Sequence, residues 1–184
     1  MSVRVGVLLS GSGRTLANLL EHIEKHELGI QIACVVSSRE DAYGLERARA
    51  ADIPAFFERD DDRIYDLLRS HEVELVCLAG YLRLLPIPKD FEGRVLNIHP
   101  ALLPKFGGKG YYGDRVHRAV LEAGETESGC TVHVADNEYD RGPIVHQERV
   151  RVETGDTVET LANRVFEAEC RAFPAAIRKW IAQR

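Results

Sequence analysis

An asparagine and a histidine two residues apart close an apolar run, Val95-Leu96-Asn97-Ile98-His99-Pro100. In a strand, positions i and i+2 present their side chains to one face. Pro100 biases His99 to an extended backbone and stops the strand there. Open α/β sheets bind ligands beyond the carboxyl ends of their strands. An amide and an imidazole side by side at that edge can stabilise a developing oxyanion, and losing one such donor typically costs about 10²–10³ in rate. The blander reading makes Asn97 a turn cap and His99 a hydrogen-bonded core residue. A carboxylate, Asp140, sits downstream in Tyr139-Asp140-Arg141-Gly142-Pro143. By itself it reads as a turn aspartate. It joins the chemistry only if the fold brings it to His99.

A second constellation is Ser10-Gly11-Ser12-Gly13-Arg14-Thr15, directly after an apolar run. Glycines let backbone N–H groups approach an anion, and the N-terminus of the following helix adds its dipole. A dinucleotide fingerprint would need a third glycine where Leu16 stands, and no Gly-Lys-Ser/Thr follows for a triphosphate loop. The loop suits a single phosphate, with Arg14 supplying a cation. The competing reading is a tight strand-to-helix turn.

The elements that must position these groups alternate. Val3 to Leu9 reads as a strand, and Thr15 to Lys25 as a helix with Leu16, Leu19, Leu20 and Ile23 on one face. Ile30 to Val36 and Ala55 to Glu58 read as strands, Tyr43 to Ala51 and Arg63 to Ser70 as helices. Val73 to Ala79 is a near-continuous apolar strand, as expected when helices cover both faces of a parallel sheet. This rhythm predicts a doubly wound α/β sheet. It then changes. After Val95 to Ile98, a Gly-rich loop from Phe106 to Gly113 precedes a helix over Asp114 to Ala123. Two further strands, Cys130 to Ala135 and Ile144 to Val152, flank the polar turn Asp136 to Gly142. A closing helix from Thr157 to about Trp180 is expected to break near Pro174. One domain is predicted, mainly parallel at first and antiparallel towards the C-terminus.

The chain has 184 residues, a size that buries roughly 70% of its unfolded surface without staples. Lys plus Arg number 24 and Asp plus Glu 29, a net charge of −5 that argues against a fold-wide nucleic-acid footprint. Cys34, Cys77, Cys130 and Cys170 are dispersed with no CxxC, as in reduced thiols of a cytoplasmic protein. His117, His133 and His146 share no metal-ligand spacing with Cys130, so no metal is expected. The opening MSVRVGVLLS lacks the pattern of a secretion leader, and no apolar stretch nears the ~18 residues of a membrane span.

Taken together, the pieces resemble the phosphoribosylglycinamide formyltransferase family. They run in family order: Ser10-Gly11-Ser12-Gly13, Gly44-Leu45-Glu46-Arg47-Ala48-Arg49, Leu78-Ala79-Gly80-Tyr81-Leu82-Arg83-Leu84-Leu85, Asn97-Ile98-His99-Pro100, Gly129-Cys130-Thr131-Val132-His133, Asp140-Arg141-Gly142-Pro143, and Glu169 before Phe173-Pro174. The resemblance implies a single-domain Rossmann-like formyltransferase fold over residues 1–184. Its N-terminal half would bind the nucleotide phosphate, and its C-terminal half the folate and the reacting groups. It implies transfer of a formyl group from 10-formyltetrahydrofolate, as co-substrate, to the amine of glycinamide ribonucleotide. The substrate supplies the nucleophile. The protein must align two small molecules, hold an oxyanion and move a proton between nitrogens.

The resemblance assigns Asn97 and His99 to the oxyanion, and Asp140 to orienting the histidine and moving the proton through water. A carboxylate beside the imidazole is expected to raise its pKa and favour the cation. His133 is a supporting residue, upstream of Asp140. Gly11, Ser12, Gly13, Arg14 and Thr15 take the phosphate, and Gly80 and Glu169 the rest of the nucleotide. The pterin is implied to lie against Leu82, Arg83, Leu84 and Leu85 and the loop Asp136, Asn137, Glu138 and Tyr139, with Arg63 a candidate for the folate tail. The Gly-rich loop is longer than the family pattern and close enough in sequence to Asn97 and His99 to cover the site. Lys109 within it reads as solvated. Small-molecule substrates, no nucleic acid, no membrane, and a monomer or homodimer are expected.

Two relatives with the same core carry an additional domain. Methionyl-tRNA formyltransferase has it at the C-terminus and formyltetrahydrofolate deformylase at the N-terminus, so a 184-residue chain is expected to be neither. A non-catalytic nucleotide-phosphate sensor, a formyl enzyme with another amine acceptor, and a nicotinamide oxidoreductase are the competing functions. Leu16 argues against the last.

Overall fold

Apolar runs three to eight residues long, separated by amphipathic helices, set the architecture of the computed structural model, which describes residues 2–184. The fold is α/β, with mainly parallel strands and an antiparallel C-terminal part. The chain divides into two compact units, one ending at Leu96 and the other starting at Asn97.

The first unit is built on β1 (Val3–Leu9), β2 (Ile30–Ser37), β3 (Ala55–Phe57) and β4 (Leu75–Leu78), in the order β3-β2-β1-β4. Every pair is parallel, with Val5 opposite both Ile32 and Leu75. Nearly every residue of β1, β2 and β4 is buried on both faces, as a helix-covered parallel sheet requires. The crossovers are α1 (Arg14–Glu24), α2 (Tyr43–Ala50) and α3 (Asp61–Ser70). Leu16 and Leu19 form the buried face of α1. Helix α3 starts two residues before the expected Arg63. The Asp60 carboxylate caps the Arg63 N–H at 3.1 Å, and Asp61 and Asp62 suit the positive end of the helix dipole.

The short strand β5 (Val95–His99) leaves the first unit and ends in the second. There β6 (Glu127–Val134) and β7 (Ile144–Arg151) pair antiparallel, and α4 (Asp114–Glu122) precedes them. β6 begins three residues earlier than expected, because Glu127 pairs with Arg151 in the ladder. The last element, α5 (Val158–Ala182), corrects an expectation: it runs 25 residues without interruption, with Pro174 inside it. A helical proline forfeits one backbone bond and costs ~3 kcal/mol or more. Here Pro174 is itself buried, and the flanking Phe173, Ala176 and Ile177 are fully buried, so packing on both sides offsets the lost bond. Thr157 and Thr160 form a reciprocal capping box at its start. Among the described residues, no helix is long and apolar enough to cross a membrane.

Candidate active site

β5 carries Asn97 and His99 on one face, as the i, i+2 spacing predicted. Both reach the same carboxylate. Asn97 Nδ2 donates to Asp140 Oδ1 at 3.2 Å, and His99 Nδ1 lies 3.4 Å from Asp140 Oδ2. Asp140 comes from the loop between β6 and β7 and adopts a left-handed backbone, φ +56°. His133, on β6, completes the group: its Nε2 is 3.0 Å from Asn97 Nδ2 and 3.6 Å from Asp140 Oδ1. The His99 and Asp140 side chains are 5% and 8% exposed. The four residues that sequence placed in or beside the chemistry therefore meet.

Two further contacts come from backbone groups in the Gly-rich loop. His99 Nε2 donates to the Phe106 carbonyl at 2.7 Å, and the Gly108 N–H donates to Asp140 Oδ2 at 2.9 Å. Gly107 permits this approach, since a Cβ there would strike the Leu103 side chain and come within 3.3 Å of Asp140 Cβ. Side-chain patterns carry no signal for such backbone donors and acceptors. Only the glycine run near Asn97 and His99 pointed to a cover.

Donor and acceptor bookkeeping fixes the tautomers. His133 Nδ1 faces the Val134 carbonyl at 3.2 Å and so carries the proton, leaving Nε2 to accept from Asn97. The Asn97 amide cannot be reversed, because its oxygen would then face Asp140 Oδ1 at 3.2 Å. Both hydrogens of Asn97 Nδ2 are thus engaged, as is the Nε2 proton of His99. Each of these N–H groups is oriented by an internal partner that any incoming oxygen must replace.

The electrostatics correct one expectation. Burial pushes the His99 imidazole down, more strongly than the Asp140 carboxylate and the Phe106 carbonyl push it up, so it lies below its ordinary value and not above it. Desolvation of a ring this enclosed outweighs a carboxylate at 3.4 Å. Asp140 goes the other way: burial pushes its carboxyl up, but the His133 and His99 imidazoles and the Gly108 N–H together pull it below the usual carboxylate range. Near neutrality the site holds a neutral imidazole, protonated on Nε2, beside an ionised carboxylate. By NMR, the His99 ring should titrate below the ordinary imidazole value of about 6.5. Asp140→Asn should lower it further, because the carboxylate raises it. A His99 midpoint above 6.5, or an upward shift in that variant, would contradict this balance.

The remaining predicted residues lie in one unit or the other. In the first, Gly11, Ser12 and Gly13 form the β1–α1 turn, and Arg14 and Thr15 open α1. Gly80, φ +76°, accepts from the Ser10 N–H at 3.0 Å. Ser10 Oγ accepts from the Leu82 N–H at 3.0 Å and shares a 2.6 Å hydrogen bond with Ser38 Oγ. Leu82 and Leu84 are exposed, Leu85 is buried, and Arg83 donates to the Arg59 carbonyl at 2.6 Å. The Arg63 side chain is three-quarters exposed, with Glu58 4.0 Å away. In the second unit, Asp136 Oδ1 accepts from the Glu138 N–H at 2.8 Å, Glu138 pairs with Arg141 at 2.9 Å, and Tyr139 is exposed. Asn137 belongs to the same loop, Glu169 is half-buried on α5, and Lys109 is exposed. Among the described residues, no group of three His, Cys, Asp or Glu is arranged to hold a metal ion.

The formyl transferase family profile matches residues 3–177. The trifunctional purine biosynthetic protein adenosine-3 of Gallus gallus is 44% identical over 96% of this chain, which spans only 18% of that protein. Phosphoribosylglycinamide formyltransferase of Haemophilus influenzae is 39% identical, over 98% of this chain and 87% of its own length. The crystal structure of glycinamide ribonucleotide transformylase 1 from Symbiobacterium toebii superposes with a TM-score of 0.90 at 42% identity, covering 96% of this chain and 86% of that one.

Proposed function

The chain belongs to the formyl transferase family, and from that premise we propose that it moves the formyl group of 10-formyltetrahydrofolate to the amine of glycinamide ribonucleotide, in purine synthesis. The observation that carries the reading is the buried Asp140 carboxylate, which holds Asn97 through one oxygen and faces His99 with the other.

The amine of the nucleotide attacks the formyl carbon. A new C–N bond forms, and the carbonyl oxygen becomes an oxyanion. Asn97 Nδ2 and His99 Nε2 turn their hydrogens onto it, which requires the Phe106 carbonyl to give up His99. Collapse breaks the bond between the formyl carbon and the folate nitrogen. The proton shed by the attacking amine passes through water to Asp140, and from there to the leaving nitrogen. An ionised Asp140 is ready to accept it. A neutral His99 already carries the proton it donates to the oxyanion, so no prior protonation is needed. None of these steps calls for a metal.

In this reading Gly11, Ser12, Gly13, Arg14 and Thr15 hold the phosphate, and Gly80 and Glu169 the rest of the nucleotide. Leu82 to Leu85, Asp136 to Tyr139 and Arg63 hold the folate. Residues 1–184 act as one formyltransferase domain, monomeric or homodimeric, in the cytoplasm.

The assay is direct. Purified protein with both substrates should show the folate absorbance change and yield formylated ribonucleotide. A panel of amino-sugar phosphates separates this acceptor from similar amines. Phosphate-ligand binding without turnover on any of them would favour a sensor and overturn the proposal.

A further inference from the structure

The segment Gly44-Leu45-Glu46-Arg47 has no part in the chemistry above, yet it touches the glycine loop twice. Gly44 is in the first turn of α2, where backbone N–H groups have no intrahelical partner. Its N–H donates to the Gly11 carbonyl at 3.0 Å. Arg47, one turn on and on the same face, donates through Nε to the Ser12 carbonyl at 2.8 Å. The two backbones are in direct contact: a Cβ on Gly13, φ +71°, would lie 2.6 Å from Gly44 Cα. The Arg47 guanidinium carbon stands 5.0 Å from the centre of the Tyr43 ring, which limits its rotation.

In a trans peptide the carbonyl and the next N–H point in opposite directions. Tying the Gly11 carbonyl to α2 therefore turns the Ser12 N–H away from α2. Tying the Ser12 carbonyl turns the Gly13 N–H the same way. Two successive N–H groups then face one side, the arrangement that binds anions. Neither donates to a partner among the described residues. The Ser12 carbonyl, which would repel an anion if it turned inward, is held by a cation instead.

We propose that Arg47 is a positioning residue for the phosphate-bearing substrate: it sets the Ser12–Gly13 peptide so that the Ser12 and Gly13 N–H groups converge on a phosphate monoester. The identity of the substrate rests on the function proposed above, but the geometry of the anion nest does not. Lysine cannot reproduce the planar donor stacked on Tyr43.

The test titrates inorganic phosphate into the full chain and follows the Ser12 and Gly13 amide signals by NMR. In the wild type both should shift and saturate. Arg47→Ala should raise the midpoint about 10-fold, a loss typical of one charge-assisted hydrogen bond, and Arg47→Lys should fall between. In the transfer assay the KM for the ribonucleotide should rise about as much, with kcat and the KM for formyl-folate unchanged. The proposal is overturned if the wild-type amides do not respond, or if a folded Arg47→Ala protein keeps the wild-type midpoint. It also fails if kcat and both KM values worsen together, since that marks a merely structural residue. Should Arg47→Ala not fold, the Arg47→Lys midpoint decides. Saturable phosphate binding without formyl transfer would remove the proposed substrate and leave Arg47 in place.

Discussion

Asp140→Asn should lower kcat by between about 10² and 10⁴ while the protein stays folded, the range expected when a positioned acid–base group is removed. The substitution is nearly isosteric. It is also conformationally safe, because Asp140 adopts φ +56° and asparagine tolerates the left-handed region well. The carboxylate now takes three roles. Oδ1 accepts from Asn97 at 3.2 Å, and Oδ2 accepts from the Gly108 N–H at 2.9 Å and faces His99 at 3.4 Å. An amide cannot fill them all. With its oxygen towards Asn97, its NH₂ meets the Gly108 N–H; reversed, its NH₂ meets the Asn97 NH₂. Either way one donor faces another, and no base remains to take the proton from the amine. The ribonucleotide KM should change little. Circular dichroism and thermal melting confirm the fold, and single-turnover rates measure the chemistry. Activity within tenfold of wild type would take Asp140 out of the mechanism.

How much of this could be read from the chain depends on how local each cause is. The alternation of apolar runs and helices placed the elements to within a few residues, because burial on both faces of a parallel sheet leaves a plain mark. Asn97 and His99 were legible as a pair because a strand's two-residue repeat aims them alike. Asp140, far along the chain in a turn, was not. Its geometry alone joins it to them, and only the resemblance pointed to it beforehand. Phe106 and Gly108 act through backbone atoms that every residue possesses, so no residue type announces them. The direction of the His99 shift was misjudged because it is a difference between two opposed effects. The sequence resemblance names the carboxylate partner, but the depth of burial has no local signature. Pro174 misled for the related reason that intrinsic helix preference is local, whereas the packing of Phe173, Ala176 and Ile177 that overrides it is not.

His99→Ala should cost about 10³ in kcat and leave binding of the ribonucleotide, measured by calorimetry, within about threefold. One preorganised oxyanion donor is worth about 10²–10³. On the acid side, where the ring is protonated, it also opposes burial in holding Asp140 ionised, so its removal raises the Asp140 pKa and leaves less of the carboxylate ionised at a given acid pH. The acid limb of the rate profile should therefore move to higher pH in this variant. Truncation also strips the Phe106 carbonyl of its donor, a folding cost of roughly 1–3 kcal/mol that melting will reveal. In the proposed mechanism His99 holds the oxyanion and Asp140 moves the amine proton around one reacting carbon, and the two side chains lie 3.4 Å apart, so their losses should not multiply. The double variant His99→Ala/Asp140→Asn should be little slower than the worse single one, as for residues that work as a unit. Fully multiplicative losses would mean that the two side chains serve separate steps, and the shared site argued from their 3.4 Å approach would have to be abandoned.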